Sequence, residues 1–224
     1  ETQNEGAALE AQHGGKSTIE ILAQHGILDG KVLAAHSVWL NETDMEIYAQ
    51  KGVRVAHCPV SNMKLASGTA AIQAMRAKGI DVGLGTDGPA SNDDLDLWQE
   101  IKISPLLARV TELDASSMTP QDALTMATVE GSRAIGNDDS GTLQIGAKAD
   151  FVRLELDNPT FVPVTNDDEL IAHVAWSGSG RHVTDVWVQG TQVVADRRLT
   201  NFDLERAIAE GQTRGLRLAE DSGT

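Results

Sequence analysis

Three apolar runs in this chain stop in the same way. Lys31-Val-Leu-Ala-Ala ends on His36, Val53-Arg-Val-Ala ends on His57, and Ile80-Asp-Val-Gly-Leu-Gly-Thr ends on Asp87, followed at once by Gly88. Each run reads as a short strand, over 31–35, 53–56 and 80–85. Each is preceded by a helical segment closed by a glycine. Ser17 opens the first, with Glu20 three places on as a capping box, Ile19, Leu22 and Ala23 on one face, and Gly26 at the end. Asn41-Glu-Thr43 opens the second, with Met45, Tyr48 and Ala49 as its apolar face and Gly52 as its stop. After a loop over 58–68, a third spans roughly 69–78 and stops at Gly79. Repeated strand–helix units predict a parallel sheet. Right-handed crossovers then bring the ends of all three strands to one side. Ligands bind on that side in a (β/α)₈ barrel and in an open doubly wound sheet. No Gly-x-Gly-x-x-Gly phosphate loop follows any of the strands.

Beyond Asn92 the pattern turns helical. Leu95, Leu97, Trp98, Ile101 and Leu106 mark a helix that Pro105 is expected to kink or end. Thr119 is an N-cap with Pro120 at the first helical position, opening a helix to about Ile135. After Gly136 the texture changes again. Asp150-Phe-Val-Arg-Leu-Glu-Leu156 alternates with a period of two. Val183-Thr-Asp-Val-Trp-Val188, Gly190 and Gln192-Val-Val-Ala read as a hairpin. A final amphipathic, exposed helix covers roughly 202–218. The expected organisation is therefore a βα portion over 1–140, a small antiparallel β portion over 141–200, and a helix with a tail over 201–224.

Composition narrows the partners. A net charge of −15 repels phosphate backbones and anionic lipid, so nucleic acid and membrane are not expected to bind. No apolar run reaches membrane-spanning length and no signal peptide is visible, so a cytoplasmic location is expected. The one cysteine, Cys58, rules out an internal disulfide framework and reads as a small buried residue.

Taken singly, His36, His57 and Asp87 each have a structural reading, as hydrogen-bonded strand ends or a turn former. Taken together, they occupy the same topological position on successive strands. Imidazole and carboxylate in combination suit a borderline cation such as zinc. His13 and His25, near a helix, and His173 and His182, in the later part of the chain, are read as structural.

His57-Cys-Pro-Val-Ser-Asn62-Met-Lys64-Leu-Ala-Ser-Gly68, followed by Gly85-Thr-Asp87-Gly88-Pro-Ala-Ser91-Asn92, resembles the amidohydrolase superfamily, in its deaminase and chlorohydrolase branch. Within that branch the chain looks most like 5-methylthioadenosine/S-adenosylhomocysteine deaminases. Gly146-Ala-Lys-Ala-Asp150 is similar to the family's return to its small β domain. The resemblance implies an α/β fold: the C-terminal half of a (β/α)₈ TIM barrel, strands five to eight, plus a small antiparallel β domain. It implies a metal-dependent hydrolase that removes ammonia from an adenosine-type nucleoside, with Zn2+ as the metal and Fe2+ or Mn2+ as substitutes. It also implies a homo-oligomer for the complete enzyme.

Residue by residue, Glu1-Thr2 looks like the end of the family's His-x-x-Glu-Thr motif, which makes Glu1 the proton-shuttling glutamate. Asp87 looks like the aspartate that binds the metal and takes a proton from its water. His36 is similar to the histidine that orients water or substrate and in some relatives binds metal. His57, Asn62 and Ser91 are implied as pocket or supporting groups. The family's His-x-His pair is absent from this chain, as is a histidine three places before Glu1. The expectation is thus a C-terminal half that holds metal poorly alone, and whose open strand edges make it aggregation-prone without its other half. Two rival readings stay open: a guanine, 8-oxoguanine or chlorotriazine hydrolase of the same superfamily, and a non-catalytic module that has lost the site.

Overall fold

A computed structural model describes residues 3–222. In chain order its elements are α1 (Gln3–Gln12), α2 (Thr18–Gln24), β1 (Leu33–Ala35), α3 (Glu42–Lys51), β2 (Arg54–His57), α4 (Pro59–Lys64), α5 (Ile72–Ala77), β3 (Val82–Leu84), α6 (Pro89–Asn92), α7 (Leu97–Glu112), α8 (Pro120–Ala127), α9 (Val129–Ala134), β4 (Phe151–Leu154), α10 (Asp167–Ser177), β5 (Val183–Val188), β6 (Thr191–Ala195), β7 (Arg198–Leu199) and α11 (Leu204–Ser222). The chain forms two compact units: 1–148 with 156–180, and 149–155 with 181–224. The stretch 141–200 is divided between them, because α10 belongs to the first unit.

The first unit is built on a parallel sheet of order β1-β2-β3. The register pairs Ala35 with Ala56 and His57 with Leu84, so the three strands finish level. The expected caps form. Ser17 and Glu20 bond reciprocally at the start of α2, Asn41 and Asp44 at α3, and Thr119 and Asp122 at α8. Gly52 closes α3 in the left-handed conformation that glycine adopts without steric cost. The core gathers Met45, Tyr48, Val55, Met75, Val82, Met118 and Met126, each 6% exposed or less. One close approach fixes the packing of α9 on the sheet: a Cβ added to Gly83 of β3 would lie 2.8 Å from Gly131 Cα.

Four sequence expectations are corrected. Pro105 does not end its helix; α7 runs through it to Glu112, with Pro105 fully buried. The segment from Thr119 is two helices, broken where Thr128 turns to φ −120° and ψ −97°. The loop over 58–68 contains α4, started by Pro59 at its first position. Residues 167–177, read as part of a β portion, form α10, capped by Asn166 and held against α7 by Arg109 stacking 4.9 Å from the Trp176 ring.

The second unit is an antiparallel sheet of order β4-β5-β6-β7. Its hairpin between β5 and β6 turns on Gln189 and Gly190, at φ 48° and 77°. Two successive positive angles are the mark of the turn that matches strand twist. Phe151 and Trp187 stack across β4 and β5 with centroids 4.5 Å apart. Helix α11 carries Leu204, Ile208 and Leu218 more than half exposed. No helix among the described residues is long and apolar enough to cross a membrane.

Candidate active site

The parallel ladder continues one step past the regular strands. His36 N–H donates to Ala56 O at 2.9 Å, and Gly85 N–H donates to His57 O at 2.8 Å. Beyond that level the backbone leaves the extended region. His36, Ser37 and Asp87 adopt φ of 63°, 51° and 62°. Such angles cost a residue with a Cβ about 1–2 kcal/mol, and they cluster where a side chain must be re-aimed. Strand alternation alone would send His36 to the same face as Ala34. The left-handed turn frees it from that pattern.

The re-aimed side chains touch. His36 Nε2 lies 3.9 Å from Asp87 Oδ2, and His36 Nδ1 lies 2.8 Å from Asn62 Oδ1. Ser61 Oγ donates to Asp87 Oδ2 at 2.8 Å. Ser91 Oγ also bonds Asp87 Oδ2, while lying 3.0 Å from Gly88 O. The hydroxyls of Ser91 and Ser61, with the Gly88 N–H, hold the Asp87 carboxyl below the usual range, so it is ionised at neutral pH. His36, Asn62, Ser91 and Asp87, all singled out from the sequence, therefore form one connected set. Ser61 was missed; its only signal was its place beside Asn62.

His57 is apart from this set. It follows Val55 on one face of β2, is 1% exposed, and its Nδ1 has no hydrogen-bond partner among the described residues. Burial, reinforced by the charge of His36, lowers its pKa to about 3, so the ring is neutral. Cys58 is pushed up to about 11 by burial and by the charges of Asp87 and Glu100, so it is a thiol at neutral pH.

Glu100 was also missed. It is fully buried, accepting from Val60 N–H at 3.2 Å and from Asn92 Nδ2 at 2.7 Å. Asn92 Nδ2 also donates to Thr86 O at 2.7 Å. One carboxylate thus ties the start of α4 to the loop that carries Asp87. The available signal was helical spacing: position 100 shares a face with Leu97 and Ser104.

His36 and Asp87 are the donor types that a divalent metal accepts. Among the described residues no group of three His, Cys, Asp or Glu could hold a metal ion. The pair suits part of a site and falls short of the three or four ligands zinc takes. Glu1, the expected proton shuttle, lies outside the described residues. His173 Nε2 bonds Pro163 O at 2.9 Å, and His182 is buried in the second unit. Two clefts open at the other end of the parallel sheet, around Gly79, Ile80 and Asp81, and neither is lined by His36 or Asp87.

Residues 1–193 match the model of the amidohydrolase family. The chain belongs to the amidohydrolase family. Among curated amidohydrolase relatives, it is 39% identical over 208 residues to 5-methylthioadenosine/S-adenosylhomocysteine deaminase of Dictyoglomus thermophilum, covering 93% of this chain and 48% of that protein. It is 38% identical over 212 residues to 5'-deoxyadenosine deaminase of Methanosarcina mazei, covering 95% and 48%. Among solved structures, it resembles an adenosine deaminase from Xanthomonas campestris with bound zinc, at TM-score 0.90 and 32% identity, covering 98% and 49%. It also resembles atrazine chlorohydrolase from Arthrobacter aurescens complexed with zinc, at TM-score 0.83 and 27% identity, covering 93% and 46%. The chain spans about half the length of the curated relatives it matches.

Proposed function

We propose that this chain is the carboxyl-terminal portion of a metal-dependent hydrolase that deaminates an adenosine-type nucleoside (5-methylthioadenosine, S-adenosylhomocysteine or adenosine) to the inosine-type product and ammonia. The observation that carries this reading is the His36–Asp87 pair, 3.9 Å apart at the level ends of parallel strands, in a chain whose relatives are named for that chemistry. A half-barrel, with strands five to eight in 1–140 and a small β portion after it, is supported by β1 and β3 each pairing on one side only among the described residues. Leu33 on β1 is 45% exposed, as expected of a strand awaiting a neighbour.

His36 and Asp87 would hold a divalent ion, zinc first, together with donors from the rest of the enzyme. A bound metal supplies hydroxide from water near neutral pH. Asp87, ionised and oriented by Ser61 and Ser91, accepts the proton of the attacking water and returns it to the departing ammonia. His36 orients the attacking water. Glu1 protonates the ring nitrogen, the role a non-ligand glutamate takes in zinc nucleobase deaminases. Each such acid–base step contributes roughly 10²–10⁴-fold. Asn62, His57 and Ser91 are pocket or supporting groups in this reading. The complete enzyme is a cytoplasmic homo-oligomer in this reading.

Likeness to a chlorohydrolase favours one second reading, hydrolysis of a chlorotriazine or of a guanine-type ring by the same groups. The test is a substrate panel on the complete protein loaded with zinc. Ammonia release from adenosine-type nucleosides supports the first reading. Chloride release from chlorotriazines, or ammonia from guanine or 8-oxoguanine alone, replaces it with the second.

A further inference from the structure

We propose that Glu100 is a positioning residue that sets the aim of Asp87 by way of Asn92. This rests on reading Asp87 as an active-site group. Asp87 is held at φ 62°, an angle that a residue with a Cβ keeps only where its surroundings enforce it. The angle is a rotation against the peptide that joins Thr86 to Asp87. Whatever fixes the Thr86 carbonyl therefore fixes the turn that aims Asp87. Asn92 Nδ2 donates to that carbonyl at 2.7 Å, and the same Nδ2 donates to Glu100 Oε1 at 2.7 Å. A carbonyl oxygen only accepts, so the NH2 end of the Asn92 amide is the end that fits between the two. Glu100 gives that end its second acceptor and so decides which end of Asn92 faces Thr86.

The chemistry of position 100 is specific to a carboxylate. Glu100 is fully buried on α7 and meets two neutral donors, one at each oxygen: Val60 N–H at 3.2 Å and Asn92 Nδ2. Burying such a group is costly unless hydrogen bonds meet it. A glutamine would fill the same space with a single acceptor. If its oxygen serves Val60, its NH2 faces the NH2 of Asn92. Turning Asn92 over relieves that clash but sets Oδ1 against Thr86 O, and the carbonyl loses its donor. The backbone of Asn92 offers a firm base for the bond, since its N–H donates to Gly88 O at 3.1 Å at the end of α6. Glu100 itself is remote from Asp87 in the chain and acts on it through this relay.

The test uses the complete protein carrying Glu100→Gln, Asn92→Ala or both, with every value taken per folded molecule. Each single variant should lower zinc affinity, measured by competition with a chelator, and kcat by about 10–100-fold, the usual cost of losing a bond that orients a metal ligand. KM should change less. The two residues act in series, so Glu100→Gln in the Asn92→Ala background should cost little further zinc affinity or kcat. Losses that multiply in the double variant overturn the proposal, as does a folded Glu100→Gln with wild-type zinc affinity and kcat. Failure of both single variants to fold also overturns it, in favour of a purely structural clamp. A complete protein that neither binds zinc nor releases ammonia refutes the reaction proposed above. Crystals of Glu100→Gln then decide the positioning role: Asp87 at a negative φ sustains it, and Asp87 still near 62° removes it.

Discussion

Ser61 Oγ reaches Asp87 Oδ2 across 2.8 Å and joins helix α4 to the loop after β3. A hydrogen bond to a charged acceptor contributes about 1.5–3 kcal/mol. The Asp87 side chain is 33% exposed, so water replaces part of that when the hydroxyl is removed. Ser61→Ala should therefore lower kcat/KM of the complete enzyme by about tenfold, near 1.4 kcal/mol. Steady-state kinetics at saturating metal provide the measurement. An unchanged kcat/KM would show that Ser91 and the Gly88 N–H suffice to orient the carboxylate.

Gly83 gives the stability test of the sheet. Its added Cβ would meet Gly131 Cα at 2.8 Å and Ala134 Cβ at 3.3 Å, and a backbone atom cannot step aside cheaply. Gly83→Ala should cost about 1–3 kcal/mol in urea unfolding, the usual penalty for overpacking. Gly6→Ala is the control. Nothing lies within 4 Å of that position on the exposed helix α1, and its stability should hold or rise slightly.

Glu100 gives a pH dependence. Burial pushes its carboxyl up, while the bonds from Val60 and Asn92 pull partly back. Its folded pKa thus exceeds the unfolded value of about 4.3. The folded state holds the extra proton, so the contribution to stability is full below that unfolded value and is lost as pH rises through the folded one. Denaturant melts should show this slope in the wild type and lose it in Glu100→Gln. Glu100→Ala should cost about 1–3 kcal/mol at any pH by leaving the Val60 N–H unpaired in the interior.

Cys58 reports on the same region without any substrate. It sits at the N-terminus of α4, where a thiolate would ordinarily be favoured, yet burial and two neighbouring carboxylates push it to about 11. Alkylation at pH 8 should be slow in the folded protein and fast in denaturant, as followed by mass spectrometry. Rapid labelling of the native protein would mean that the strand ends are open.

Much of this was legible before any coordinates, and the exceptions have physical causes. The caps at Ser17, Asn41 and Thr119 and the stops at Gly26, Gly52 and Gly79 are local chemistry, so sequence alone reveals them. Pro105 misled because its cost of about 3 kcal/mol is a local quantity, and a 16-residue helix with a buried face outweighs it. The break at Thr128 has no glycine or proline to announce it. Helix α10 was hidden by polar residues at its start and a weakly apolar face. At the site, strand-end position pointed to His36 and Asp87, and the family resemblance to Asn62 and Ser91, but neither could show the left-handed turns that aim two of them. His57 shares their strand-end position but faces a different way. Ser61 and Glu100 act through contacts 26 and 40 positions distant in the chain, which no local pattern reveals.

The central claim is that Asp87 serves both the metal and the reaction. Its most direct test compares the complete protein with its Asp87→Asn variant, measuring bound metal by elemental analysis and ammonia release from 5-methylthioadenosine in the same samples. The account predicts about one divalent ion per wild-type subunit, following the four-ligand sites of catalytic zinc, and loss of both metal and turnover in the variant. A variant that keeps its metal and its activity would contradict it.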